Sequence, residues 1–560
     1  MKVKLKVFSS IALASIVALT GCSSANPSSS ESSPAPTATS SSADTGEPVK
    51  LTWFSDAGYW NPPSPWSTDP NTVEGMITQK TGVKFDFNIP AQDGGTKLNL
   101  MLVSNDPLPD ILTLTDGVLM KKLIQADKVW NLEEFLQKYN PSSPLLANFP
   151  QDMKKALIER DGGWYAYPSH IDTPDARKLY PPSSEFYSDG AKYRDNLAVM
   201  FNEQIMKDAG ISLDELKTED GVLAALKKVK DMNLKVNGTP VIPLQINGKD
   251  YQNGTLRTLQ NQFGAMPVDK DGNYRDMIFA PETKHALDFL FKSAKEGYFD
   301  PGQMTLDGPA VDAAINAGRV FCYIGGTASK TNSGIPWVSP GPILSNQNTK
   351  PVYGRSLKAG TGWMQTFISK TASNPEKIAK WLDYMTSDEG IMLNYYGFEG
   401  KQYTLENGLV VLNEQGQKDQ NDYSTTGVFA FWPFHNIAWH DHATAAPTTK
   451  VGTDGLMAMQ VQTAAAKASV LYDSSPLAMP NDFIPAGSKM ANDKVQIATY
   501  LQAQISKIVL AKDAELKDKY YNEMIDKVKQ MGQTEIDAKI NEQFHKQEQA
   551  FGVTVKGINS

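Results

Sequence analysis

Val83-Lys84-Phe85-Asp86-Phe87-Asn88-Ile89 alternates apolar and polar residues without a break, the period of a strand with one face buried. Upstream, Val49, Leu51 and Trp53 alternate in the same way and meet Ser55-Asp56-Ala57-Gly58, which reads as a strand ending in a loop. Residues Thr72 to Lys80, between the two, read as a helix. Downstream, Thr96 to Val103 suits another helix and Asp110 to Leu114 a third strand. Strands alternating with helices predict an α/β fold whose sheet is largely parallel and covered on both faces. Ligands of such sheets sit beyond the carboxyl ends of the strands. Asp56, Tyr59 and Trp60 after the first strand, and Thr115 and Asp116 after the third, therefore fall on one rim whatever the ligand is. The prolines of Tyr59-Trp60-Asn61-Pro62-Pro63-Ser64-Pro65-Trp66 hold two tryptophans on a stiff, extended backbone.

Further along, Gly162 to Pro168 is a turn and a short strand, and 169–195 is a long irregular insertion. Leu197 to Phe201 reads as a buried strand, with a helix from Asn202 to Ala209 closed at Gly210. Val268 to Arg275 is hairpin-like around Asp271-Gly272. Helices are expected over Pro281 to Glu296 and Ala310 to Ala317, then a strand over Val320 to Ile324 with Gly325-Gly326-Thr327 as a tight exit. Asn374-Pro375-Glu376 opens a helix, and Ile378, Trp381, Leu382 and Met385 mark its apolar face. Three apolar stripes follow near the C-terminus: Ile497 to Ile508, Leu516 to Val528, and Ile536 to Phe544, each one face of a helix packed on the body.

The start of the chain has a different character. Lys2, Lys4 and Lys6 precede an apolar run from Val7 to Leu19, the layout of a secretory signal and too short for the roughly 20 residues of a membrane span. Leu19-Thr20-Gly21-Cys22 resembles the bacterial lipobox. That resemblance implies cleavage after residue 21, diacylglycerol on the Cys22 thiol, and a mature chain held on the outer face of a membrane. Residues 22–48, rich in Ser, Pro, Thr and Ala, have too little apolar surface to offset the entropy of ordering them and read as a flexible tether. The 62 acidic and 54 basic residues give a net charge of −8, more negative once the leader lysines are removed, which argues against nucleic acid as a partner. With Cys22 acylated, Cys322 has no partner for a disulfide within the chain.

Several segments in this order resemble one family, the extracellular solute-binding lipoproteins of bacterial ABC sugar importers related to maltose-binding protein. They are Lys97-Leu98-Asn99-Leu100-Met101-Leu102-Val103 with Leu108-Pro109-Asp110-Ile111; Trp164-Tyr165-Ala166-Tyr167-Pro168; and Leu197-Ala198-Val199-Met200-Phe201-Asn202-Glu203. Ile368-Ser369-Lys370, Asn374-Pro375-Glu376-Lys377, Thr386-Ser387-Asp388-Glu389-Gly390 and Gly397-Phe398-Glu399-Gly400-Lys401-Gln402-Tyr403 continue the series. The last of these, with the helix closing at Met531-Gly532, is similar to the longer, oligosaccharide-handling subgroup. The resemblance implies a type II two-lobed fold of mixed sheets flanked by helices that closes on a sugar in the cleft. Lobe 1 would hold 49–168 and about 362–400. Lobe 2 would hold 169–361 and about 401–560, C-terminal helices included. It also implies a monomer that hands an oligosaccharide to ABC permease subunits and needs no cofactor. Many relatives carry an aromatic after the strand matching Val320 to Ile324, where this chain has Gly325-Gly326-Thr327, so contact there falls to backbone or hydroxyl.

A sugar needs flat aromatics for its CH faces and fixed polar groups for its hydroxyls. Trp60, Trp66, Trp337, Trp363, Trp432 and Trp439 lie in loop-like sequence, with Trp363 the leading candidate; Trp53, inside a strand, reads as core. Candidate binding residues are thus Asp56, Tyr59, Trp60, Asp116, Gln260, Asn261, Trp337, Trp363, Glu399 and Trp432, although turn, cap or core roles compete at each. His435, His440 and His442 fit no common zinc spacing, and Asp269-Lys270-Asp271-Gly272-Asn273 has its glycine too early for a calcium loop, so neither is read as a metal site. Gly325 to Thr331 lacks the glycine of a phosphate loop, and no Gly-x-Ser-x-Gly or His-Glu-x-x-His is present. The expectation is a binding protein with no catalytic residues. A secreted glycosidase or lyase, and a receptor for peptides or a regulatory ligand, are the rivals.

Overall fold

The structure is a computed structural model that describes residues 46–560, apart from 92–93, 105, 328–329, 359, 449–454, 481–482 and 486. The leader, Cys22 and all but the end of the expected tether lie outside the described residues. A five-stranded sheet is built in the order Val83–Asn88, Val49–Ser55, Ile111–Leu114, Gln365–Ile368, Ala166–Pro168. The first two strands run parallel from Val49 opposite Val83 to Phe54 opposite Asn88, and Trp53 lies opposite Ile111 on the other side. Helix Val73–Thr81 connects them. It opens where the Thr72 hydroxyl accepts the Gly75 N–H and closes at Gly82 in the left-handed region. Strand Gln365–Ile368 enters antiparallel to both neighbours, so the sheet is mixed.

Trp53 centres the core under this sheet, edge-on to Trp60 at 5.3 Å, Phe85 at 5.0 Å and Trp381 at 5.2 Å. Val428, Ala430, Phe431, Phe434 and Ala438 belong to the same buried cluster. That stretch, expected in lobe 2, therefore packs against the first sheet.

Asp110 ties strands Val49–Ser55 and Ile111–Leu114 to the turn after Gln365–Ile368. Its carboxylate accepts the Thr52 N–H and hydroxyl at 2.7 Å each, and the Ser373 N–H and hydroxyl at 2.7 and 2.9 Å. Burial by itself would raise its pKa, but these hydrogen bonds outweigh burial and hold it below the ordinary carboxylate value. Asp110→Asn should therefore cost about 2 kcal/mol at neutral pH. A depressed carboxyl contributes stability above its unfolded pKa of about 4 and loses it as the pH falls through the folded value. Urea unfolding should show the gap between wild type and variant at pH 7 and its narrowing by pH 3. A gap independent of pH would refute the assignment.

The second sheet has the order Trp337–Val338, Leu197–Asn202, Val320–Gly326, Ile242–Ile246. Leu197–Asn202 is antiparallel to both neighbours, and Ile242–Ile246 is parallel to Val320–Gly326. The expected exit after Ile324 does not occur, because Gly325 and Gly326 remain in the strand opposite Ala198 and Leu197. A side chain at Gly325 would place its Cβ 2.8 Å from Asn247 and 2.9 Å from the Tyr323 hydroxyl, so only glycine fits this close approach. Cys322 is fully buried in this strand, and burial pushes its thiol pKa up.

The three C-terminal stripes are helices Lys489–Val509, Ala514–Gln530 and Gln533–Phe551. Ile505, Ile508, Val509 and Met524 enter the core of the second sheet, and Lys284 on helix Pro281–Lys295 pairs with Asp518 at 2.7 Å. The 169–195 segment is more regular than expected, containing helices Pro174–Leu179 and Glu185–Tyr193. The chain passes between the sheets there and again through Val352–Arg355, which pairs in parallel with Val470–Asp473. Among the described residues, no helix is long and apolar enough to cross a membrane.

Candidate functional site

The rim predicted from the first sheet is assembled by short-range geometry. Asp56, at the end of Val49–Ser55, accepts the Thr115 N–H at 2.8 Å, the Thr115 hydroxyl at 3.1 Å and the Asp116 N–H at 3.0 Å. Burial raises its pKa against the effect of those bonds. Asp116 in turn caps helix Gly117–Gln125 through the Val118 and Leu119 N–H groups. Both carboxylates are thus engaged in the loops they were expected to line. Their product is a fixed platform edge, because the Tyr59 phenol hydrogen-bonds the Thr115 side chain.

Tyr59 is 56 % exposed and stacks with Trp363, itself 42 % exposed, at a ring separation of 6.0 Å and an angle of 12°. Trp363 leans against Trp432 at 6.2 Å, and Trp432 against Tyr423 at 5.1 Å. His170 meets Trp363 edge-on at 5.4 Å, and its ring lies 5.3 Å from that of His435. Burial lowers the His170 pKa to about 4. Burial, with His170 and His440 nearby, holds His435 well below its usual value. At neutral pH both imidazoles are uncharged, and His170 backs the tryptophan as an apolar ring. Gly362 makes the position possible. It sits at φ +78, and a Cβ there would fall 2.5 Å from the Ser169 carbonyl oxygen, while the Met364 N–H donates to Ser169 Oγ at 2.9 Å. The Trp432 indole N–H is buried and has no hydrogen-bond partner among the described residues, a donor suited to a ligand oxygen.

Gln260 and Asn261 come together elsewhere. They line a cavity of about 510 Å³ on the second sheet's side with Arg257, Tyr274, Tyr353 and Tyr472. Burial raises the pKa of each phenol, Tyr353 to about 12, so all three stay protonated donors. Gln260 itself is buried and donates to Thr283 Oγ1 at 2.9 Å.

Three further candidates join neither group. Trp60 is fully buried with its indole donating to the Ala430 carbonyl at 2.8 Å, and Trp337 is buried in its strand. Glu399 lines a separate cavity of about 490 Å³ with Met76, Lys80 and Phe398. His170 and Tyr423 were missed. The available signal for His170 was its place just beyond strand Ala166–Pro168, at the same end of the sheet as Asp56 and Thr115. Tyr423 carried none, since its contact with Trp432 depends on the fold. Among the described residues, no group of three or more His, Cys, Asp or Glu side chains is placed to hold a metal ion. Asp269 closes its own turn by accepting the Asp271 and Asn273 N–H groups.

Two mixed α/β sheets with separate cores, crossed by the chain and bearing an aromatic rim at strand ends, define a two-lobed periplasmic-binding-protein-like fold. The chain belongs to the family of bacterial extracellular solute-binding proteins, whose model matches residues 64–392. Solved structures share the fold at low identity. An HMO-binding, ABC-transporter-associated solute-binding protein from Bifidobacterium longum infantis is 12 % identical over 89 % of this chain and 99 % of its own, with a TM-score of 0.62. The Streptococcus pneumoniae substrate-binding protein FusA, solved with kestose, is 16 % identical over 90 % and 100 %, with a TM-score of 0.62. The N-glycan transport protein NgtS from the same species is 16 % identical over 90 % and 99 %, with a TM-score of 0.56. No curated protein matches the chain.

Proposed function

We propose that this protein is a receptor that captures an oligosaccharide outside the cell, closes its two lobes on it and delivers it to an ABC importer permease. The supporting observation is the half-exposed platform of Tyr59, Trp363 and Trp432, a set of flat apolar faces at the strand ends. Such faces suit the CH surfaces of pyranose rings, while phenols and amides suit their hydroxyls. Three of the structural relatives carry glycan or oligosaccharide ligands in their names or crystals, which accords with this reading. Closure follows if the ligand contacts both lobes and so stabilises the closed state over the open one. The lobes divide at the crossings described above, and Cys22, acylated, holds the receptor as a monomer at the membrane surface. It acts without catalysis and has no nucleic-acid partner.

Thermal unfolding against a panel of neutral and acidic oligosaccharides, followed by calorimetry, tests this. A ligand at about a hundred times its dissociation constant adds roughly 2.7 kcal/mol of stability. A shift with a glycan that remains intact on long incubation is the expected result. Shifts only with peptides, or the appearance of cleaved sugar, would replace the reading with one of its rivals.

A further inference from the structure

A cavity of about 190 Å³ is walled by Asp172, Arg177, Arg194, Arg355 and Asp441, with Tyr187, Ile437 and Met459. It has room for one sugar unit rather than a chain. Its position follows from the backbone. Ile171 N–H donates to the His435 carbonyl at 3.3 Å and Ala438 N–H to the Ile171 carbonyl at 3.0 Å. Asp172 and Ile437 thus lie two residues beyond His170, whose ring meets Trp363, and His435, whose ring meets His170. Two residues span at most about 7 Å, so the Asp172 and Ile437 backbones lie within that reach of the His170 and His435 backbones, on the platform's side of the cavity.

Its charge is unbalanced. Three guanidinium groups face two carboxylates, and Arg177 engages both, Asp172 at 2.6 Å and Asp441 at 2.8 Å. His440 holds the other oxygen of Asp441 at 3.0 Å. Arg177 Nη2 is buried without a hydrogen-bond partner among the described residues. Arg355, at the end of crossing strand Val352–Arg355, bonds the Tyr353 phenol and has no carboxylate partner among the described residues. A half-buried guanidinium facing a small cavity is matched by an oxyanion, and a carboxylate fits its planar fork best.

We propose that this cavity is a carboxylate subsite and that the captured glycan carries a uronic acid on the unit next to the one stacked on Trp363. The inference rests on the receptor reading above. Arg355 stands on the crossing strand Val352–Arg355, so an acid bound there also touches that strand.

The test is calorimetry on the purified protein with trimers of galacturonate, mannuronate and glucuronate, each against the corresponding neutral hexose trimer, at low and at physiological salt. Inorganic phosphate alone is a separate arm. At least one uronate should bind tenfold or more tighter than its neutral counterpart, with the advantage shrinking as salt rises. Arg355→Gln should abolish the preference while leaving neutral-sugar binding within twofold. If that variant fails to fold, the uronate-to-neutral ratio and its salt dependence in the wild type decide the matter alone. Neutral trimers binding as well as uronates would overturn the subsite and leave the receptor standing. Arg355-dependent phosphate binding without uronate preference would reassign the cavity to a free anion, also overturning it. Failure of every glycan would remove both the subsite and the receptor reading.

Discussion

Trp53→Ala should destabilise the protein by about 4 kcal/mol, the upper range for truncating a fully buried aromatic. The ring has no exposed surface and touches Trp60, Phe85, Phe87, Trp381 and Phe434. These neighbours come from one strand, a loop, a helix and the 428–438 segment, so no single element can slide in to fill the space. The indole N–H also donates to Thr113 Oγ1 at 2.9 Å, and Thr113 shares a second hydrogen bond of 2.9 Å with Thr366. Truncation breaks this chain across three strands. Trp53→Phe keeps much of the packing and should cost roughly half as much. Denaturant unfolding followed by circular dichroism measures both. The two sheets have separate cores, so the alanine variant should also show the first core melting ahead of the second. A loss under about 1 kcal/mol would mean that the surrounding rings collapse into the cavity.

Trp363→Ala carries the opposite signature, a large effect on binding and a small one on stability. With 42 % of its surface exposed, stacked on Tyr59 and edge-on to His170, the ring contributes little to the core. As a central aromatic anchor for a ligand it should be worth about 2 kcal/mol, roughly thirtyfold in the dissociation constant. Trp363→Phe retains a flat face and should lose less than half of that. Calorimetry with the best glycan from the panel, beside a melting curve within about 2 °C of wild type, would separate a binding role from a structural one. Unchanged affinity would remove the platform from the site.

Much of the first sheet was legible because its signals are local. Perfect alternation at Val83–Asn88 and a threonine cap with a glycine stop around Val73–Thr81 each specify backbone geometry within a few residues. The apolar stripes of the C-terminal helices were legible for the same reason, since helical period alone says which face is buried. The rim also followed from a local rule, strand ends plus the loops after them, and Asp56 does meet Thr115 and Asp116 there; that Trp363 stacks on Tyr59 was not part of that reading. Where the reading faltered, the deciding partner was far away in the chain. Gly325 and Gly326 look like a turn from sequence, but pairing with Leu197 and Ala198 draws them into the strand. Trp60 sits in a proline-rich loop and Trp363 follows a glycine-rich one, both loop-like in sequence, yet an acceptor at Ala430 takes Trp60 into the core.

Sequence alone therefore determined most of the element types, the α/β class and the net negative charge. Periodicity, caps and composition act over a few residues or over the whole chain at once. Only the tertiary structure decided which tryptophans face solvent, that 428–438 completes the first core, and that Arg177, Arg194 and Arg355 share one cavity. Burial and electrostatic pairing depend on contacts between residues hundreds of positions apart, and those contacts exist only once the crossing strands have brought the segments together.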